Sequence, residues 1–258
     1  MESVAEGSIL TVGTSLVTLV AVCCLSVVFL QLRRKQQHQP ADETRSSNSG
    51  DDVQPVLACI QNRRSVFPRH YVNEAVSAQQ MERLLEAAMC APFHGPVPPW
   101  RFVVLGRKGM LELQHLTLAY YDQHWRGVGI AETEEQYGQW RQVREREVDG
   151  RWGSVSFMVA IVMRRQAGSK RMPEWEEAAA TACAVQNMHL QASTERDLGC
   201  YWSSWFSSFR DSPEMAQFLE MQPEDKCFGF FIVAKCLEEA TGKKRRKREM
   251  QSHVEWRE

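Results

Sequence analysis

None of the eight cysteines, at positions 23, 24, 59, 90, 183, 200, 227 and 236, stands in a CxxC pair. The spacing offers neither the framework of a small disulfide-stapled domain nor a thiolate zinc site, and it fits thiols kept reduced in a cytosol. Also missing are GxSxG, HExxH and the GxxxxGK phosphate loop, so the nucleophile elbow, the zinc-protease helix and the P-loop are excluded as sources of chemistry. Glycine-rich dinucleotide fingerprints are absent as well. The seven histidines, at 38, 70, 94, 115, 124, 189 and 253, show no metal-ligand spacing, and no metal is expected. There is no excess of positive charge: 31 Lys and Arg face 32 Asp and Glu, for a formal charge of -1. A general nucleic-acid binder needs a broad basic face, so that class is set aside and no nucleic-acid partner is expected.

What is present begins with a stretch that lacks charge altogether. Residues 9–32 read ILTVGTSLVTLVAVCCLSVVFLQL, preceded by Glu2 and Glu6 and followed at once by Arg33, Arg34 and Lys35. A helix of that length reaches roughly 36 Å, enough for a hydrocarbon core of about 30 Å. A secretory signal would carry its positive residues before the apolar run, and a buried core helix would be periodic. Residues 9–32 therefore predict a single-span anchor behind a short segment 1–8. The basic residues after it put the rest of the chain on the cytoplasmic side. Residues 33–52 are polar with no large apolar side chain and read as a tether. A folded domain is expected over 53–258.

Within that domain the spacing predicts helices over 53–62, 78–89 with Ser77 as N-cap, 109–121, 132–148 and 176–196. Strands are predicted over 100–105, 154–163 and 227–234, with WRFVVL (100–105) read as buried. The proline-rich loop 91–99 belongs to neither. Long helices between few strands give an α+β class, a sheet covered by helices. His189, inside the longest helix, is expected to be packed or hydrogen-bonded rather than a ligand.

Three groups of residues carry candidate chemistry. Arg63, Arg64 and Ser65 offer charge-assisted donors and a hydroxyl suited to a phosphate. Taken alone, the pair reads first as a basic helix end complementing the helix dipole. His94, with Trp100 and Phe102 beyond the prolines, frames a pocket for a planar ligand, though the two aromatics also suit a core. The tail run KKRRKR (243–248) reads alone as a solvated segment or a contact for anionic lipid.

Taken in order, RRS (63–65), AAMCAPFHGPVPPWRFVVL (87–105), PEWEEAAATACAVQNMHLQASTERDLGCYWSSW (173–205) and RRKREMQSHVEW (245–256) resemble the FMN-dependent nitroreductase family, most of all its compact single-domain members. The resemblance spans 53–258. It implies that Arg63, Arg64 and Ser65 hold the FMN phosphate and ribityl chain, with Lys247 and its neighbour Arg248 completing that site from the tail. Pro92, Phe93 and His94 would line the isoalloxazine ring, His94 on the neighbouring subunit's flavin. Trp202, Ser203 and Ser204 would form the loop at the ring's far edge. The family's fold implies an intertwined homodimer with two FMN sites.

The activity implied is NADH- or NADPH-dependent reduction of nitroaromatic, quinone or similar acceptors by ping-pong transfer, with no dedicated protein acid. Phe67 stands where many members carry an arginine, and Pro98 stands in a loop where many carry Asn or Gln. The anchor also resembles the layout of iodotyrosine deiodinase, whose substrate clamp would fall among Glu134, Glu135, Tyr137 and Arg141. A tethered flavin-binding protein without turnover is the third reading.

Overall fold

A computed structural model of the chain describes residues 55–168, 171–241 and 249–257. The predicted anchor, the tether, and Lys247 and Arg248 lie outside the described residues. Among the described residues, no helix is long and apolar enough to cross a membrane.

The described residues open with helix α1 (Pro55–Asn62), a 3-10 turn (Pro68–His70) and α2 (Ala78–Met89). Next come β1 (Trp100–Leu105), α3 (Arg107–His124), α4 (Glu134–Gly150) and β2 (Val155–Met163). α5 (Glu174–Ala192) leads into β3 (Leu198–Ser203), short helices α6 (Ser207–Arg210) and α7 (Pro213–Phe218), β4 (Lys226–Lys235) and α8 (Glu238–Thr241). The four strands form one antiparallel sheet in the order β1-β2-β4-β3.

Both faces of the central strands are covered, which explains their unbroken apolar runs. In β2, Val159 and Ile161 join the core under α2 and α5, while Met158, Ala160 and Val162 join the core under α3. β4 divides the same way, with Phe231 and Val233 on one side and Phe230 and Ile232 on the other. Alternation is therefore present in space but hidden in composition, because each face buries its own set.

Helix starts were the most local signal. Ser77 and Gln80 form a reciprocal capping box at α2, and Thr133 and Gln136 form another at α4. Replacing Ser77 by Ala is expected to cost about 1 kcal/mol, read as a shift in the denaturant midpoint. A change under a few tenths would show that Gln80, which also donates to Glu195 at 2.7 Å, holds the start alone.

Two expectations are corrected. Strand β1 is not buried along its length: only Trp100 and Leu105 are buried, and Val104 is 39% exposed. It is the edge of the described sheet, with a strand on one side only, and Phe102 and Val103 are partly buried against the two cores. Residues 198–203 are strand, and Trp202 and Ser203 end β3 instead of lying in a loop after the long helix. That helix stops at Ala192, earlier than expected, with Ser193 as its C-cap and Ser193 Oγ donating to the Leu190 carbonyl at 2.7 Å.

Candidate functional site

The arginine cluster sits at the end of α1, where the chain leaves the helix to run along the outer edge of β3. Val66 N–H donates to the Cys200 carbonyl at 3.0 Å, and Val72 N–H to the Lys235 carbonyl at 3.0 Å. This docking holds the Arg63–Ser65 segment over the C-terminal half of α5. There His189, buried and packed edge-on to Phe231, meets both arginines. Arg63 Nη1 lies 3.3 Å from His189 Nδ1, and His189 Nε2 lies 2.7 Å from the Arg64 carbonyl oxygen.

A carbonyl can only accept, so Nε2 carries the proton and Nδ1 is left to accept from the guanidinium. The ring is therefore neutral. Burial pushes its pKa down to about 4, the Arg64 carbonyl works against that, and the Arg63 charge adds to it. A neutral histidine gives Arg63 an acceptor that carries no charge of its own. Arg64 donates through Nη1 to the Gln61 carbonyl at 2.7 Å and its side chain borders a 400 Å³ cavity, which His189, Arg196 and Cys200 also line. Ser65 is exposed beside it. Guanidinium groups held beside a cavity are a donor set that fits a phosphate dianion.

The second predicted group lies elsewhere. Phe93 packs edge-on to Trp100, with ring centroids 6.5 Å apart, while Pro92 and His94 are exposed. His94 Nε2 lies 3.4 Å from Glu176 Oε2, in the first turn of α5. Arg63 contacts α5 at His189, thirteen residues further on, so the two groups stand about 20 Å apart along the helix axis. Within the single chain the structure does not bring them together.

The third group closes β3. The Trp202 indole N–H donates to the Phe228 carbonyl at 2.6 Å while the ring stays 39% exposed. Ser203 Oγ accepts from Trp205 N–H at 3.2 Å, which supports Trp205 at φ 58°, a left-handed conformation that bulky residues rarely adopt. Ser204 is exposed. Gly229 of β4 makes the approach possible. It sits at φ 92°, and a Cβ there would lie 2.1 Å from the Ser203 carbonyl oxygen.

The residues considered for a halogenated-substrate clamp are engaged in fold contacts. The Tyr137 hydroxyl donates to Asp122 Oδ1 at 2.5 Å, and its ring stacks on Trp125 with centroids 5.0 Å apart. Arg141 Nε donates to the same Asp122 oxygen at 3.0 Å, tying α4 to α3. Burial opposes ionisation of Asp122, yet the hydrogen bonds from Arg141 and Tyr137 outweigh it and hold the carboxyl below its ordinary value. Glu134 faces Arg126 at 3.7 Å and Glu135 is exposed.

His189 is packed and hydrogen-bonded as expected, but sequence reasoning did not place it at the arginine cluster. The helix was recognised, but its contact lies 126 residues from Arg63, and no local pattern announces it.

These features define a helix-covered antiparallel α+β domain with a phosphate-suited cationic corner and an aromatic strand end. The Nitroreductase family profile matches residues 60–235, more than half of the chain, and the chain belongs to that family. A Haemophilus influenzae protein named "Putative NAD(P)H nitroreductase" is 26% identical over 121 residues, 47% of this chain. That match spans 58% of the relative's own length. A nitroreductase-like family protein from Bacillus cereus superposes with a TM-score of 0.58 at 21% identity, over 83% of this chain and 98% of that one. A Bacteroides fragilis nitroreductase with bound FMN gives a TM-score of 0.53 at 22% identity, over 79% and 99% of the two chains.

Proposed function

We propose that this chain is an FMN-dependent NAD(P)H oxidoreductase that reduces nitroaromatic, quinone or similar acceptors. The observation that carries the reading is the cationic corner of Arg63 and Arg64, fixed by neutral His189 in a chain of the Nitroreductase family. Bound FMN would supply the two-electron carrier, accepting hydride from a reduced nicotinamide and returning electrons to an acceptor that takes its place. The protein's share is position and electrostatics. Arg63 and Arg64 hold the phosphate with charge-assisted bonds and Ser65 offers its hydroxyl. Lys247 and Arg248 of the tail add to the same dianion. Trp202, Ser203 and Ser204 border the ring, and no protein acid is assigned a proton.

The site is shared between two protomers in this reading. His94 and Arg63 stand at opposite ends of α5, so Pro92, Phe93 and His94 serve the flavin held by the arginines of a second copy. Supporting this, Trp175, Ala179, Cys183 and Gln186 form an exposed stripe down α5, with Trp175 70% exposed. α1 buries none of its residues and leaves Val56 69% exposed. Residues 9–32 anchor the chain, with the flavin domain facing the cytoplasm. Their length without charge and the three basic residues after them support this.

The purified chain is expected to show a flavin absorption spectrum that bleaches when NADPH or NADH is added without oxygen. A folded, colourless protein that takes up no added FMN would overturn the phosphate assignment. A flavin that stays oxidised would leave cofactor binding standing and remove the nicotinamide step.

A further inference from the structure

The flavin reading leaves a second cleft unused. It lies between the 3-10 turn and the C-terminal half of α4, has a volume of 630 Å³, and is lined by Phe67, Pro68, Arg69, Val143, Arg146 and Arg151, with Glu147 and Gly150 also on its wall. Positions 143, 146, 147 and 150 fall on one helical face, so α4 presents this wall as a unit. Two large apolar side chains stand open there, Phe67 at 45% exposure and Val143 at 40%. The Phe67 ring is backed by Tyr201, with centroids 4.9 Å apart.

Charge in the cleft is unbalanced. Among the described residues Glu147 is its one lining carboxylate, and it already pairs with Arg144 at 2.8 Å and with Arg151 at 3.2 Å. Arg146 Nε donates to the Gln142 carbonyl at 3.3 Å and Arg69 Nε to His70 Nε2 at 3.0 Å. Among the described residues neither forms an ion pair with a carboxylate. The negative end of the α4 dipole accounts for Arg151 at the C-cap. It does not account for Arg146 a turn further in, nor for Arg69 on another segment.

Two uncompensated guanidinium groups beside an open aromatic face match a phosphate monoester carried on a flat base. A phosphate monoester bears close to two negative charges at neutral pH, whereas a carboxylate would leave one arginine unmatched. The cleft also adjoins both segments that the flavin reading uses: Phe67 follows Ser65 by two residues, and its partner Tyr201 precedes Trp202. Resting on that reading, we infer that the cleft takes the 2′-phosphoadenosine end of NADPH, with Arg69 and Arg146 on the 2′-phosphate and Phe67 against the adenine. The chain then prefers NADPH to NADH.

The test uses FMN-loaded protein with two probes that differ only in the 2′-phosphate, 2′,5′-ADP and 5′-AMP. Calorimetry is expected to show 2′,5′-ADP bound at least tenfold more tightly, with the preference lost in the R69A/R146A double variant. The same variant should lose at least tenfold in kcat/KM for NADPH and keep its NADH value and flavin spectrum. Equal affinity for the two probes in the unaltered protein would overturn the inference, as would a variant that loses NADH and NADPH turnover alike. A protein that carries no flavin yet distinguishes the probes through Arg69 and Arg146 would remove the flavin reading and keep the phosphate cleft.

Discussion

Replacing Gly229 by Ala is expected to lower stability by about 4 kcal/mol or more, among the largest effects a single methyl group can have. Two independent costs combine. The φ of 92° lies where an L-residue pays a steric penalty of about 1–2 kcal/mol. The added Cβ would also stand 2.1 Å from the Ser203 carbonyl oxygen and 2.9 Å from Ser204 Cα. Both are backbone atoms at the end of β3, so no side-chain rotation relieves the contact, and the strand end must move. The Trp202 indole bond to the Phe228 carbonyl and the support of Trp205 by Ser203 would move with it. Flavin retention should therefore fall together with stability. Gly138 is the internal control: it lies within α4 with nothing within 4 Å of a built Cβ. Gly138→Ala should stabilise the protein by about 0.5–1 kcal/mol. Denaturant midpoints of the two variants moving in the same direction would contradict the argument.

The parts of the fold that were readable in the sequence are those whose cause is local. Ser77 and Gln80 cap α2 from within four residues, and Met81, Leu84 and Ala88 fall on one face because the helix repeat puts them there. Strands β2 and β4 announced themselves as apolar runs because both their faces are covered. β3 did not. LGCYWS is short, contains a glycine and ends in a serine, and it is strand because it pairs with β4 from Leu198↔Lys235 to Ser203↔Phe230. The extent of burial in β1 was hidden for the converse reason, since an edge position is a property of sheet order and leaves no trace in WRFVVL.

The candidate site divides along the same line. The residue types at Arg63, Arg64 and Ser65 and the resemblance around them were visible in the sequence. The contact that ties this segment to α5, a histidine 126 residues from Arg63 acting through one neutral tautomer, depends on tertiary packing. The separation of Pro92, Phe93 and His94 from the arginines also depends on packing, because it is set by the length of α5.

That histidine makes the cationic corner sensitive to acid. Stability is expected to be complete above about pH 6.5 and to fall as the pH drops toward 4, with His189 contributing up to about 3 kcal/mol to the loss. The sign follows from where protons bind. In the folded chain burial holds the ring neutral down to about pH 4, whereas the unfolded chain binds a proton near the ordinary value of 6.5. Between those values the unfolded state holds more protons, so acid draws the equilibrium toward it. Protonation also puts a hydrogen on Nδ1, which can then no longer accept from Arg63, and it places a second cation 3.3 Å from the guanidinium. His189→Gln keeps an amide N–H for the Arg64 carbonyl and an oxygen for Arg63 without a titrating ring. Carboxylates such as Asp122 add a slope of their own at the lower end of the range, and they do so in both proteins. The His189 share is therefore the difference between the two curves of denaturant midpoint against pH. That difference should open below pH 6.5 and stop growing near pH 4. Parallel curves would mean that His189 is not held neutral by the fold, and that Arg63 owes its position to something other than this acceptor.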